Sequence, residues 1–371
     1  MKKFAEVFPP GEFLSDELDA RNWTQTEFAE IIGRPVRLVN EITLGKKSIT
    51  PETAVQIAEG LGTSPELWMN LESQFQLSKV HPINDAIKRK AELRGKFPVR
   101  DMIKRGWIEK TDNIDILEKQ CLDFFEVDNV NSQPILQHAA KKGSYSDISI
   151  LQLAWLFRAK NIAHTQIVSK FSKKNLVANL DEIKKLMSAP EEARHLVKIL
   201  NSCGIRLVIV EAFPGSKIDG ACFWLSANEP VIVMSIRLDR IDNFWFVLRH
   251  EIEHVIQGDG KNGQPIIDED IGCSQTNTLP EIEVIANEAS SEFCVSKLEL
   301  NNYVARTNPY HFSNKRVIGF AARLMIHPGI VVGQLHNKFN EYKYLRKHLV
   351  KIRGIVIETT PHDGWGNTYP I

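Results

Sequence analysis

The sequence predicts a multidomain chain with an all-α N-terminal segment, a helical middle region and an α+β C-terminal part with a small sheet. Three observations carry this. The length of 371 residues exceeds what one ordinary core accommodates. No strand-like alternation occurs before about residue 80, whereas short β-rich runs bounded by Gly, Pro and Asn begin only after residue 203. The divisions expected are 1–80, 81–195, 196–340 and a tail at 341–371. With 43% hydrophobic and 25% charged residues the chain can bury a core, which excludes wholesale disorder. No apolar run approaches the roughly 18–20 residues of a membrane span, and the first ten residues lack a signal-peptide pattern, so no membrane partner and a cytoplasmic location are expected. The five cysteines (Cys121, Cys203, Cys222, Cys273, Cys294) never form a CxxC pair and are expected to be idle or buried thiols.

The formal charge is zero, so bulk charge announces no nucleic-acid partner. Residues 1–80 carry 8 basic against 12 acidic side chains, yet Arg34, Arg37, Lys46 and Lys47 are opposed locally only by Glu41. A second basic run from Lys88 to Arg105 is expected to be a solvated helix face.

In the first segment, Thr24 to Gly33 supplies an N-cap, a small residue at Ala29 and a helix-ending glycine. Arg34-Pro35 then restarts the chain, and Val36 to Ile42 forms a helix with Leu38, Val39 and Ile42 inward. This is helix-turn-helix spacing. If the second helix enters the major groove, Val36, Arg37 and Asn40 reach base edges, while Gln25, Lys46 and Lys47 hold phosphates. The whole run from Trp23 to Leu77, with its Thr24-Gln25 start, Asn40-Glu41-Ile42, Gly45-Lys46 and the helix opened near Thr50-Pro51-Glu52, resembles the Cro/cI-type (XRE) helix-turn-helix of HigA-family antitoxins. The resemblance implies double-stranded operator DNA as partner, bound as a homodimer, and a toxin protein as a second partner.

Residues 81–200 read as helix-periodic stretches without a catalytic signature; Asp147–Asn161 reads as an ordinary amphipathic helix. Further on, Ile205–Val210, Ala221–Leu225 and Val231–Ile236 read as strands, followed by a helix from Phe244 to Gln257. That helix contains His250-Glu251-Ile252-Glu253-His254. Two histidines four apart lie on one helix face and can both ligate Zn²⁺, with Glu251 at the open position as a general base for water attacking a peptide carbonyl. A helix apolar on both sides that also carries two His and a Glu calls for a partner such as a metal.

Beyond a Gly/Asn/Asp-rich loop at Gly258–Leu279, Pro280 opens a helix with Ile282, Ala286, Ala289 and Phe293 as its expected apolar stripe. Glu281, Glu283 and Glu288 are all available as a third ligand. Arg249 to His254 followed by Glu283-Val284-Ile285-Ala286-Asn287-Glu288 resembles the ImmA/IrrE metallo-endopeptidases, and Ile326 to Leu335 resembles the end of that family's domain. The resemblance implies a zincin-like C-terminal fold, zinc held by His250, His254 and Glu283, Glu251 as the catalytic base, and a repressor or other regulatory protein as peptidase substrate. The chain departs from the family at Glu253, where a glycine is usual and where a negative charge is expected beside the site, and at Ser290, Ser291 and Cys294. Two functions follow as expectations: a DNA-binding regulator that also cleaves a regulatory protein, or a non-catalytic antitoxin or repressor whose C-terminal part only binds a toxin, metal or effector.

Overall fold

The structure, a computed structural model, describes residues 8–79, 85–134, 136, 148–261, 265–269, 280–307 and 312–370. The chain divides into two compact units, 1–88 and 89–371.

The first unit holds α1 (Pro10–Ala20), α2 (Gln25–Ile31), α3 (Val36–Thr43), α4 (Pro51–Leu61) and α5 (Pro65–Lys79). Local chemistry sets the starts of two of them. Thr24 accepts the Glu27 amide while the Glu27 carboxylate accepts the Thr24 amide, a reciprocal cap of α2. Thr50 caps α4, whose first residue is Pro51. Gly33 takes φ +66°, the left-handed turn that lets α3 fold back onto α2. Leu14, Phe28, Ala29, Val39, Ile42, Ile57 and Trp68 form the core of this unit.

The second unit contains α6 (Ala86–Lys96) from Arg89 onward, then α7 (Val99–Lys104), α8 (Ile114–Phe125), α9 (Ile150–His164), α10 (Lys173–Ala178), α11 (Leu180–Lys185) and α12 (Leu196–Cys203). Next come β1 (Arg206–Val210), β2 (Ile218–Trp224), β3 (Pro230–Met234), α13 (Ile241–Gln257), β4 (Ile266–Glu269) and α14 (Glu281–Cys294). It ends with α15 (Lys297–Ala305), α16 (Asn314–Leu324), α17 (Pro328–Phe339), α18 (Arg353–Ile357) and β5 (His362–Asp363). The strands form one mixed sheet in the order β4-β2-β3-β1-β5, with β1 parallel to β3 and β5, and β2 antiparallel to β3 and β4. α13 packs on β2 and β3, α9 packs on β1 and β3, and every residue of β2 and β3 is buried, so both faces of the sheet are covered.

Several expectations are corrected. Buried contacts tie the middle and the tail to the sheet. Trp155 Nε1 donates to the Val210 carbonyl at 2.9 Å, and Asp363 accepts from Arg158 Nη2 at 2.6 Å and from Trp107 Nε1 at 2.7 Å. α9 is not an ordinary amphipathic helix: Gln152 through Lys160 are all buried, and its charges survive there because Arg158 pairs with Asp363 and Lys160 with Glu126. The stretch at 258–279 is not all loop, since β4 lies within it and adds to the sheet edge. In the basic run, Arg89 pairs with Asp115 and Glu118, and Arg105 Nη2 donates to the Ala212 carbonyl, so neither merely faces solvent. Four cysteines are buried free thiols, and Cys273 lies outside the described residues. Among the described residues no single helix is long and apolar enough to cross a membrane.

Candidate functional site

The α13 helix is buried along almost its whole length, and it carries both histidines inward. Its apolar side, Phe244, Leu248, Ile252 and Val255, enters the main core of the unit. His250 Nε2 and His254 Nε2 stand 3.0 Å apart. Glu283, in the first turn of α14, brings Oε2 to 3.1 Å from His250 Nε2 and Oε1 to 3.7 Å from His254 Nε2. Of the three glutamates open from sequence, Glu283 faces the histidines. Glu288 pairs instead with Lys297, and Glu281 is exposed, because both project from other sides of the helix.

A fourth donor, Asp268 on β4, places Oδ2 at 3.4 Å from His250 Nε2 and 3.7 Å from His254 Nε2. One ligand atom from each of these four residues lies within 4.8 Å of every other. Donors about 2.0–2.2 Å from a tetrahedral zinc stand about 3.3–3.6 Å apart, close to the separations found here. The donor set therefore fits a divalent cation. The electrostatics agree. Burial works to lower the His250 pKa, but the Asp268 and Glu283 carboxylates overcome it and raise the imidazole to about 9. A field that favours a cation so strongly favours a metal ion in the same place.

Glu251 projects from α13 over β2. Gly220 makes room for it: a Cβ at that position would come 2.2 Å from Glu251 Oε1. Burial, then the nearby Asp268 charge, holds the Glu251 carboxyl well above the usual carboxylate range. Burial pushes Asp268 the same way, but its contact with His250 and the charge of both histidines bring it below its ordinary value.

The charge expected from Glu253 is not added to the site. Its carboxylate is 2.7 Å from Arg249 Nη2 one turn back, and it also accepts from Gln257. The expected apolar stripe of α14 is also rotated. Ala286, Ser290 and Cys294 are buried, whereas Ile282, Val284 and Ile285 are exposed. Small side chains let α14 lie close against α13, and the Ser290 hydroxyl is satisfied by the Ala286 carbonyl. That serine is thus compatible with the packing the motif requires.

In the first unit, Val36, Arg37 and Asn40 form an exposed row on α3, and Lys46 and Lys47 are exposed beyond its end. Asn40 Nδ2 donates to Gln25 Oε1 at 3.2 Å, and Gln25 Nε2 donates to Thr43 Oγ1 at 3.2 Å, so Gln25 joins the start of α2 to α3. Arg37 extends into solvent with its side chain 87% exposed and pairs with Glu41. Arg34 does not belong to this surface, because Glu52 and Gln56 of α4 hold its guanidinium. The helix-turn-helix family matches residues 14–68. Residues 14–68 are a helix-turn-helix domain.

Over 83 residues the chain is 29% identical to the uncharacterized HTH-type transcriptional regulator YddM of Escherichia coli (strain K12), a span of 22% of this chain and 88% of that protein. Among solved structures it is similar to a putative antidote protein of a plasmid maintenance system from Nostoc punctiforme, at 34% identity, 20% of this chain, 80% of that one and a TM-score of 0.19. It is also similar to a HigA-family addiction module antidote protein from Coxiella burnetii, at 28% identity, 21% of this chain, 99% of that one and a TM-score of 0.19.

Sequence reasoning missed Asp268, Gly220 and Asp259, whose Oδ2 is 2.9 Å from His254 Nδ1. The signal for Asp268 was faint: two isoleucines before three acidic residues, in a stretch otherwise rich in loop-forming residues.

Proposed function

We propose that this chain is a HigA-like antitoxin or repressor that binds operator DNA through α3 and holds zinc in its second unit. The exposed Val36, Arg37 and Asn40 row carries the DNA reading. Arg suits guanine and Asn suits adenine in the major groove, and Lys46 and Lys47 are placed for phosphates. The description of YddM as a transcriptional regulator supports the same reading. On operator DNA the chain acts as a homodimer, as HigA resemblance implies, and a toxin is its protein partner. Binding of the full chain to DNA upstream of its own gene, read by footprinting, tests this. Protection that is lost in Arg37→Ala is expected; equal binding to unrelated DNA overturns it.

The zinc reading rests on the convergence of His250, His254 and Glu283. Zinc would supply Lewis acidity at this buried position. Glu251 supplies a carboxyl that takes and returns a proton at its Oε atoms, and the surrounding core excludes bulk water. Metallo-endopeptidase action on a regulatory protein is the enzymatic form of this reading. A binding-only role is the second form, favoured by the carboxylate of Asp268 standing among the ligands. Glu251→Gln separates them. It should keep metal and DNA binding while abolishing cleavage of repressor or toxin if the site is catalytic, and change neither if it only binds.

A further inference from the structure

We propose that Asp268 is a fourth protein ligand, so that the cation is enclosed by four side chains and strand β4 is fastened to α13 and α14 through it. The inference rests on the zinc reading above and adds the residue that completes the site. Asp268 is 5% exposed, and among the described residues its Oδ2 accepts no hydrogen bond, although the His250 and His254 Nε2 atoms face it at 3.4 and 3.7 Å. A buried carboxylate oxygen that accepts no hydrogen bond is costly, and a cation at the common centre of the four donors would satisfy it.

Charge balance points the same way. Two neutral imidazoles and one carboxylate leave a divalent ion with a net positive charge in a buried place. The second carboxylate brings the sum to zero. The donor set contains nitrogen and oxygen only, which suits zinc and its neighbours among the divalent metals.

The strand geometry explains how a sheet residue can reach helix-borne histidines. β4 is the edge strand, paired antiparallel with β2, and Asp268 lies opposite Gly220. The missing side chain at 220 opens the space that Glu251 fills, beside the carboxylate of Asp268. Metal occupancy therefore sets how firmly the sheet edge is held. Four protein donors would match the number that a structural zinc takes, whereas a catalytic zinc keeps one position for water.

The test uses the full chain, stripped of metal and reloaded with Zn²⁺ or Co²⁺. Chelator competition and the visible spectrum of the Co²⁺ form are compared for the parent, Asp268→Asn, Asp268→Ala and His254→Ala. Loss of at least about tenfold in affinity, with a changed Co²⁺ spectrum, is expected in both Asp268 variants. Amide hydrogen exchange at Ile266–Glu269 in the parent should slow on adding Zn²⁺, a readout that needs no variant. Parental affinity and spectrum in the Asp268 variants, or β4 exchange indifferent to bound metal, overturn the role of Asp268 while leaving a His250, His254 and Glu283 site. A parent that takes up neither metal overturns the zinc reading itself, and this inference with it.

Discussion

His254 presents Nδ1 to the Asp259 carboxylate at 2.9 Å while its Nε2 faces His250. The carboxylate accepts the Nδ1 proton, which leaves the Nε2 lone pair aimed at the cluster. Asp259 is placed by the left-handed Gly258 that ends α13, and its own amide donates to the His254 carbonyl. Asp259→Ala is expected to weaken zinc binding about 10–100-fold without removing a ligand. Competition with a chromophoric chelator measures this, and unchanged affinity would show that the ring needs no such support.

On the DNA side, Arg37→Ala should cost about 1–3 kcal/mol at one base pair and relax the preference there. Lys46→Ala should weaken all sequences about evenly and lower the salt slope by about one. Selection from a randomised duplex library, repeated at several salt concentrations, distinguishes the two. Identical profiles for both variants and the parent would remove α3 from the groove.

Gly220→Ala forces a methyl group to within 2.2 Å of the Glu251 carboxylate. Overpacking of this kind costs about 1–3 kcal/mol. A lower melting temperature of the second unit is expected, with operator binding retained because α3 belongs to the other unit. An unshifted transition would mean that Glu251 moves aside freely.

Acid should destabilise the second unit through His327 and His336. Burial lowers both pKa values, and the neutral forms are built into the fold: His327 Nδ1 accepts the Gly329 amide to cap α17, and His336 Nε2 donates to the Tyr344 carbonyl. The unfolded chain takes up protons first, near the ordinary value of about 6.5. Stability is therefore full above that pH and declines as pH falls through the depressed folded values. His327→Asn keeps a capping side chain without the titration. Denaturant midpoints between pH 8 and 5 should fall less steeply in this variant than in the parent, and parallel slopes would exclude His327.

Much of this architecture was legible in local sequence. The Thr24 cap, the Gly33 turn, three strands and the helix bearing both histidines follow from short-range spacing, and the structure has each of them. What escaped was set by distant partners. Asp268 matters only because β4 pairs with β2, and nothing within its own neighbourhood records that pairing. Glu253 looked like an added charge because its neutralising partner Arg249 sits one turn back, a pairing that composition does not weigh. α9 reads as amphipathic because its lysine and arginine look solvent-seeking until Glu126 and Asp363 close on them.

Asp363 gathers Trp107, Arg158 and the Tyr369 amide around one carboxylate. A fragment cut at residue 340 to isolate the histidine-bearing helix would lose this keystone and expose the indole and guanidinium it satisfies. Crystallisation or spectroscopy of the excised second unit should therefore begin near residue 89 and retain Tyr369. A shorter piece would report on its own unravelling rather than on the ion it was made to study.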